Sequence, residues 1–282
     1  NTWLTCEEST TGPGREFGEG LVKNHGWVFE VPANARGLVA PGPLYALGRF
    51  NHEAACVDPE TGFVYLTEDR DDSVLYRFIP KQSGQLAMGG RLQAMQVVGA
   101  PDLRNWSATS LRPSGVSAVN WLDLDDVESP KDDLRHRAHA KGASLIARGE
   151  GVHMAQGEAY ICSTSGGAAR LGQILRLHLS DAGERDRLEL FFESVSANQF
   201  NFGDNLTVAP NGHLVVCEDQ YTEKVDNFLR GITPQGYAYP LARLRLQTEF
   251  AGACFSPDGT TLFVNVYAPT RTLAITGPWD QF

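Results

Sequence analysis

The sequence has few basic residues and no long apolar run, and each shortage excludes a class of protein. Its 282 residues include 24 Lys and Arg against 34 Asp and Glu, a formal net charge of −10. Because a nucleic-acid surface needs clustered basic side chains, this balance disfavours DNA or RNA as a partner. No apolar run approaches the ~18 residues that cross a bilayer, so we expect no membrane partner either.

Several chemical signatures are also missing. The five cysteines are scattered and include no CxxC pair, which excludes a disulfide scaffold. The seven histidines form no HxxxH pair, and no P-loop, GxGxxG or GxSxG motif is present. The first residues read as a strand and not as a signal peptide, so we expect that an exported protein would carry its signal upstream.

What the sequence does contain is a repeat rich in turns. Four segments share the order of a short strand, a turn with glycine, and a second strand: residues 53–69, 150–163, 204–219 and 252–265. A third strand is predicted after each, at residues 74–78, 173–177, 228–232 and 272–275. The start of the chain, residues 3–8, aligns with residues 215–219 and indicates a fifth unit.

Antiparallel units repeated in this way are typical of a β-propeller. We therefore predict an all-β fold, a propeller of five to six blades, formed by one domain over residues 1–282. The stretch around residues 101–147 lacks the repeat, and we expect an irregular, partly helical insertion there.

The repeat places acidic residues at equivalent positions. In a hairpin, the start of the first strand lies beside the end of the second. By this rule Glu53 lies beside Glu68, and Asp204 lies beside Glu218. Two further acids fit the pattern, Glu150 at the start of a first strand and Glu7 at the end of a second one. In a propeller, all six would point toward one mouth of the central channel.

Carboxylates gathered in this way repel one another, and cations are the natural compensation. Carboxylate oxygens suit calcium, magnesium, manganese or ferric iron. A single acidic pair at a strand end is more often a solvated turn, but the recurrence in register argues for a metal site. Cys6 is either a small core residue or a thiolate ligand, and the equivalent position of Cys217 before Glu218 favours packing.

Arg148 lies two residues before Glu150, in a segment where Gly149 and Gly151 flank the acid. Its guanidinium suits two-pronged binding of a phosphate or carboxylate. The alternative is a salt bridge with one of the acids.

The sequence resembles the PhoX-type alkaline phosphatases, a calcium- and iron-dependent bacterial family. The matching stretches run from one end of the chain to the other: Thr2-Trp3-Leu4-Thr5-Cys6-Glu7-Glu8, Gly48-Arg49-Phe50-Asn51-His52-Glu53, Val64-Tyr65-Leu66-Thr67-Glu68-Asp69, Ala147-Arg148-Gly149-Glu150-Gly151, Gly203-Asp204-Asn205-Leu206, Cys217-Glu218-Asp219 and the region 250–259. Each stretch is weak alone, but their order is fairly specific.

The resemblance implies a monomeric propeller that hydrolyses small-molecule phosphate esters in the periplasm or outside the cell, with Fe³⁺ and Ca²⁺ as cofactors. Arg148 would hold the phosphate. The implied metal ligands are Cys6 as an iron-bound thiolate, together with Glu7, Glu53, Glu68, Glu150, Asp204, Asn205, Glu218 and Asp219.

Two alternatives stay open from the sequence. One is a calcium propeller that hydrolyses lactones or other esters without iron. The other is a non-catalytic propeller in which calcium is structural and one face binds a partner.

Overall fold

A computed structural model describes residues 1–107, 111–180, 184–220 and 222–280. Within these residues the chain forms eighteen β-strands and one α-helix of seven residues. The all-β prediction is therefore confirmed. The chain divides into two compact units, Asn1–Asp102 with Ala118–Gly149, and Leu103–Ser117 with Glu150–Phe282. The prediction of one domain over the whole chain stays a prediction.

The first unit begins with a strand pair and continues as an antiparallel meander. Strands β1 (Thr2–Cys6) and β2 (Val28–Pro32) pair with each other. The meander then follows chain order, each strand pairing with the next: β3 (His52–Val57), β4 (Val64–Glu68), β5 (Tyr76–Pro80), β6 (Gly90–Val97) and β7 (Val116–Asp123). Helix α1 (Leu134–Ala140) follows β7.

The second unit contains three antiparallel sets. The first consists of β8 (Gly149–Ala155), β9 (Glu158–Ser163), β10 (Gln173–His178) and β11 (Arg187–Glu193). The second consists of β12 (Gly203–Val208), β13 (Leu214–Glu218), β14 (Phe228–Ile232) and β15 (Ala238–Arg243). The third consists of β16 (Phe250–Phe255), β17 (Thr261–Val266) and β18 (Arg271–Thr276).

These sets are the blades that the repeat predicts. The four predicted hairpins are present as β3–β4, β8–β9, β12–β13 and β16–β17. The strand that follows each hairpin is the predicted third strand: β5, β10, β14 and β18. Every residue of β4 and β13 is buried, as expected for a strand covered on both faces, whereas β18 is largely exposed. The stretch predicted to be irregular, residues 101–147, contains strand β7 as well as helix α1.

Each unit has its own apolar core. In the first unit, Leu66, Tyr76 and Phe78 pack with residues of α1 such as Leu134. In the second unit, one cluster forms around Val215 and Leu262 and another around Ile174 and Phe200. Burial of these apolar side chains, at about 25 cal/mol per Å², is the main force that orders the strands. No helix in the described ranges is long and apolar enough to cross a membrane.

Candidate metal and phosphate site

Hairpin pairing places the predicted acids at common strand ends. His52 at the start of β3 pairs with Glu68 at the end of β4, so Glu53 lies at that end. In the second unit, Gly203 pairs with Glu218, and Asp204 follows Gly203. The register rule applied to the sequence is correct in both hairpins. It places one acid on the first strand and another on the second strand at the same end.

A β-bulge interrupts three hairpins at the same place, near the start of the first strand. The register shifts between His52 and Ala55 in β3, between Gly203 and Leu206 in β12, and between Ala251 and Cys254 in β16. Bulges turn side chains out of the regular alternation and are frequent beside active sites. Here they contain Glu53 in β3 and Asp204 with Asn205 in β12. In β3 and β12, but not in β16, the bulge therefore contains the first-strand acid.

Two first-strand acids of the second unit converge on one thiol. Burial raises the pKa of the Cys162 thiol well above its usual value, and the negative charges of Asp204 and Glu150 raise it further. The backbone of β12 also comes very close to Gly151. A Cβ atom there would lie 2.7 Å from the Asp204 carbonyl oxygen and 2.9 Å from the Asn205 Cα. Only glycine fits between the two strands, so Gly151 allows Glu150 and Asp204 to approach.

A three-carboxylate cluster lies in the second unit. One oxygen from each of Asp204, Asp219 and Glu249 lies within 4.8 Å of the other two. Calcium takes oxygen ligands at 2.3–2.6 Å, so oxygens on one ion are up to about 5 Å apart. The donor set therefore fits a hard cation. The sequence analysis did not identify Glu249. Its position could have indicated it, because Glu249 directly precedes β16, which is the first strand of its hairpin.

Asn205 links this cluster to the neighbouring blade. Its Nδ2 donates a hydrogen bond to the Asp204 Oδ1 at 2.9 Å, and its Oδ1 accepts one from the Gly252 N–H at 2.7 Å. The amide nitrogen of Asn205 therefore binds Asp204, and its amide oxygen binds the backbone of the β16 bulge. The predicted role of Asn205 as a metal ligand stays a prediction.

In the first unit, Cys6 lies near Glu53. Burial raises the pKa of the Cys6 thiol to about 12, and the Glu53 charge contributes to the rise. A thiol in this environment is protonated at neutral pH. Binding of a metal cation would be required to stabilise the thiolate, since metal ligation and deprotonation are coupled.

The second-strand acids have partners within the protein. Glu218 is fully buried, and its oxygens accept hydrogen bonds from the Arg230 Nε at 2.7 Å, the Asn201 N–H at 2.9 Å and the Phe228 N–H at 3.0 Å. Glu68, also fully buried, accepts a hydrogen bond from the Tyr76 hydroxyl at 2.8 Å and pairs with Arg135 at 3.4 Å.

Burial raises the pKa of Glu68 to about 7, even though Arg135 and Tyr76 lower it. Burial likewise raises the pKa of Glu218 against the effect of Arg230. These neighbours satisfy the two carboxylates without a metal.

Glu7 has a similar arrangement. One oxygen contacts the His25 Nδ1 at 2.7 Å, and the other accepts hydrogen bonds from the Gly26 and Trp27 N–H groups at 2.9 and 3.1 Å. These contacts tie the end of β1 to the segment before β2. The predicted metal-binding roles of Glu7, Glu68 and Glu218 stay predictions, but their oxygens are already engaged in local contacts.

Arg148 forms the salt bridge that the sequence left as an alternative. Its Nε donates to the Asp69 Oδ1 at 2.7 Å and its Nη2 to the Asp69 Oδ2 at 3.1 Å. Its backbone has a φ of 52°, in the left-handed region, and its N–H donates to the Arg70 carbonyl at 2.9 Å. The nearby Glu8 has a raised pKa because the protein partly shields its carboxyl from water and because Asp69 repels its charge. A cation thus lies among carboxylates at the end of β4.

Comparison with known proteins connects this arrangement to a family. The family model described as Alkaline phosphatase PhoX matches residues 1–270, which include all ten predicted site residues. Among solved structures, that of Pseudomonas fluorescens PhoX in complex with vanadate, a transition-state analogue, has a TM-score of 0.71 and 20% identity. The alignment covers 94% of this chain and 62% of that one, so the chain spans less than two thirds of its length.

This likeness confirms the β-propeller fold class. Weaker likenesses involve a gluconolactonase from Xanthomonas campestris, XC5397, with 13% identity, a TM-score of 0.45 and coverage of 89% of this chain and 66% of that one. A putative 6-phosphogluconolactonase from Bacteroides uniformis has 13% identity, a TM-score of 0.40 and coverage of 98% and 78%. None of the curated proteins matches the sequence.

Proposed function

We propose that this chain, which belongs to the PhoX family of alkaline phosphatases, hydrolyses phosphate monoesters of small molecules. The observation that carries the proposal is the family match over residues 1–270, because it includes both the first-strand acids and Arg148. The three-carboxylate cluster of Asp204, Asp219 and Glu249 supports it, since phosphoryl transfer depends on cations that neutralise charge.

We assign the metal-binding role first to the acids of the β-bulges and their neighbours. Asp204, Asp219 and Glu249 offer the hard oxygen ligands that calcium takes. Glu53 and Glu150 stand at equivalent places on β3 and β8, and Cys6 offers a softer ligand for ferric iron. Bound cations would neutralise the phosphate oxygens and activate water as a nucleophile.

The role proposed for Arg148 is to bind the phosphate and to stabilise charge on its oxygens. Asp69 already holds the guanidinium through two hydrogen bonds, so little side-chain freedom remains to be lost when substrate binds. A planar guanidinium matches two phosphate oxygens at once. Asp69 thus acts as a positioning residue for Arg148.

We also propose that the protein works in the periplasm or outside the cell. Calcium sites built from few carboxylates bind with dissociation constants of roughly 10⁻⁴–10⁻³ M in extracellular modules, and such calcium concentrations occur outside the cytoplasm. Fractionation of cells that produce the full-length protein, followed by immunoblotting, tests this proposal. Recovery in the cytoplasmic fraction alone would refute it.

The test of the activity compares Arg148→Gln with the control Arg91→Gln, an exposed arginine in the same unit that pairs with Asp123. After reconstitution with calcium and ferric iron, wild type and control should hydrolyse p-nitrophenyl phosphate, whereas Arg148→Gln should lose at least about 100-fold in kcat.

Elemental analysis gives a readout that does not depend on turnover, and both variants should retain the wild-type content of calcium and iron. A metal-loaded wild type that hydrolyses a lactone but no phosphate ester would overturn the proposal. So would a calcium-stabilised protein without any turnover.

A further inference from the structure

One buried asparagine lies between the two segments that carry Asp219 and Glu249 of the three-carboxylate cluster. Asn227 directly precedes β14 and is only 1% exposed. Its Oδ1 accepts a hydrogen bond from the Gln220 N–H at 2.9 Å, and its Nδ2 donates one to the Thr248 carbonyl at 3.1 Å. Gln220 directly follows Asp219, and Thr248 directly precedes Glu249. The Asn227 side chain therefore joins the backbone beside one carboxylate to the backbone beside the other.

Asn227 is itself held in position and in orientation. Its carbonyl accepts a hydrogen bond from the Leu244 N–H at 2.9 Å, and the next residue, Phe228, donates its N–H to the Glu218 Oε2 at 3.0 Å. The side-chain amide has one orientation that satisfies both of its partners, because a reversed amide would face a donor with a donor and an acceptor with an acceptor. The link between the two segments is thus a specific one.

Hydrogen bonds connect Asp219 to the segments of both other carboxylates in the cluster. Its own N–H donates to the Phe202 carbonyl at 2.8 Å, and Phe202 lies two residues before Asp204. Through the Asn227 side chain, the backbone after Asp219 is joined to the backbone before Glu249. A local network therefore sets the spacing of the backbone that carries all three carboxylates.

The network opposes the repulsion within the cluster. One oxygen from each of the three carboxylates lies within 4.8 Å of the other two, and negative charges at that distance repel one another when no cation lies between them. The neutral amide of Asn227 resists the separation of Asp219 and Glu249 without adding a charge of its own. A site that already has the spacing of the bound state binds its ion more tightly, because less conformational freedom is lost on binding.

We infer that Asn227 is a positioning residue of this cation site, which holds Asp219 and Glu249 at the spacing that one Ca²⁺ requires before the ion binds. The inference rests on the proposed calcium-dependent function and adds to it a residue that supplies no ligand atom. Asn227 accordingly sets the affinity of the site for calcium and not the number of ions that the protein binds.

A matched control is available in the same part of the chain. Gln247 also joins the segment before β14 to the segment before β16, since its Oε1 accepts a hydrogen bond from the Val225 N–H and its Nε2 donates one to the Val225 carbonyl, both at 2.9 Å. Gln247 is exposed, whereas Asn227 is buried. Asn227→Ala and the control Gln247→Ala each remove two side-chain hydrogen bonds, but only the first pair lies directly beside the carboxylates.

Isothermal titration calorimetry of metal-free protein with calcium compares the two variants. We expect Asn227→Ala to weaken calcium binding at one site about tenfold and to leave the number of bound ions unchanged. Gln247→Ala should stay within about twofold of wild type. Equal affinities in wild type and Asn227→Ala, or an equal loss in both variants, would overturn the inference.

Hydrogen exchange of the wild type, followed by NMR, tests the same point without a variant. The Gln220 N–H, which donates to Asn227, should already be protected from exchange in metal-free protein, because the link exists before calcium binds. If this N–H exchanges freely until calcium is added, the link forms only on binding and the inference is wrong.

Neither measurement depends on turnover, so the inference and the phosphatase proposal fail separately. Weaker calcium binding in Asn227→Ala, with no hydrolysis of p-nitrophenyl phosphate by metal-loaded wild type, would refute the phosphatase activity and support the positioning role. Hydrolysis by the wild type, with calcium binding unchanged in Asn227→Ala, would refute the positioning role alone.

Discussion

Asp69 and Arg148 form a two-pronged ion pair, with 2.7 Å between Oδ1 and Nε and 3.1 Å between Oδ2 and Nη2. The partners are 79 residues apart in sequence, and both side chains are largely buried. Asp69 directly follows β4, and Arg148 precedes β8 with a φ of 52°. The position of the Arg148 guanidinium is therefore restrained in two ways. The backbone conformation of Arg148 sets where the side chain begins, and the ion pair with Asp69 sets where it ends.

We predict that Asp69→Asn impairs catalysis by releasing Arg148. An amide cannot accept at both of its ends, so one hydrogen bond to the guanidinium is lost and its orientation is no longer fixed. We expect kcat/KM for p-nitrophenyl phosphate to fall by about 10–100-fold, the usual cost of a misplaced catalytic group. Asp123→Asn, which removes an exposed partner of Arg91, serves as the control and should have little effect. Unchanged kcat/KM in Asp69→Asn would show that the pair is only structural.

Glu218→Gln is expected to lower stability without removing metal. The variant leaves the Arg230 guanidinium buried without its counterion, which costs about 3 kcal/mol in the free energy of unfolding. The control is Asp226→Asn, which breaks the exposed pair with Arg243 on the same blade and should cost less than about 1 kcal/mol. Urea denaturation measures both values. A loss of bound calcium or iron from Glu218→Gln, with stability unchanged, would instead identify Glu218 as the metal ligand that the sequence suggests.

Hairpin geometry explains what the sequence could predict. The alternation of short strands and glycine turns is a local signal, and antiparallel pairing then dictates which residues share an end. Glu53 with Glu68, and Asp204 with Glu218, follow from this rule and lie as expected.

The partners of the second-strand acids could not be predicted in this way. Arg135 lies 67 residues after Glu68, on helix α1, and its approach depends on tertiary packing. Arg230 is on the strand next to Glu218, but the sequence does not reveal that both side chains point to the same buried face. The β-bulges were also missed, since an extra residue in a strand leaves no composition signal. These features distinguish Glu68 and Glu218, which pair with buried arginines, from the acids on the bulges.

Glu249→Gln should weaken one cation site. Glu249 supplies one of the three clustered carboxylates, and a neutral amide removes charge from the site without changing its size. We expect calcium affinity at one site to fall at least about tenfold, as measured by equilibrium dialysis of metal-free protein. Glu184→Gln, at an exposed position, is the control and should bind calcium like wild type. Identical calcium binding in Glu249→Gln and wild type would exclude Glu249 as a ligand.

The acid stability of the second unit should depend on Glu189, at the opposite end of its blade. Burial alone would raise the pKa of the Glu189 carboxyl. Arg176 and His178 donate hydrogen bonds to it, at 2.6 and 2.9 Å. These hydrogen bonds and the positive charges of the two side chains outweigh burial, so the pKa is lowered. A carboxyl with a lowered pKa in the folded state stabilises the protein above its unfolded pKa of about 4.5. This contribution is lost as the pH falls through the folded-state pKa.

We therefore expect Glu189→Gln to cost about 2 kcal/mol in the free energy of unfolding at pH 7. The difference from wild type should shrink steadily below about pH 4.5, because wild-type Glu189 then becomes protonated. Urea denaturation at several pH values measures it, and Glu60→Gln, at an exposed position, should show no such trend. A difference that stays constant between pH 7 and pH 3 would mean that side-chain packing, and not the charge of Glu189, stabilises this end of the blade.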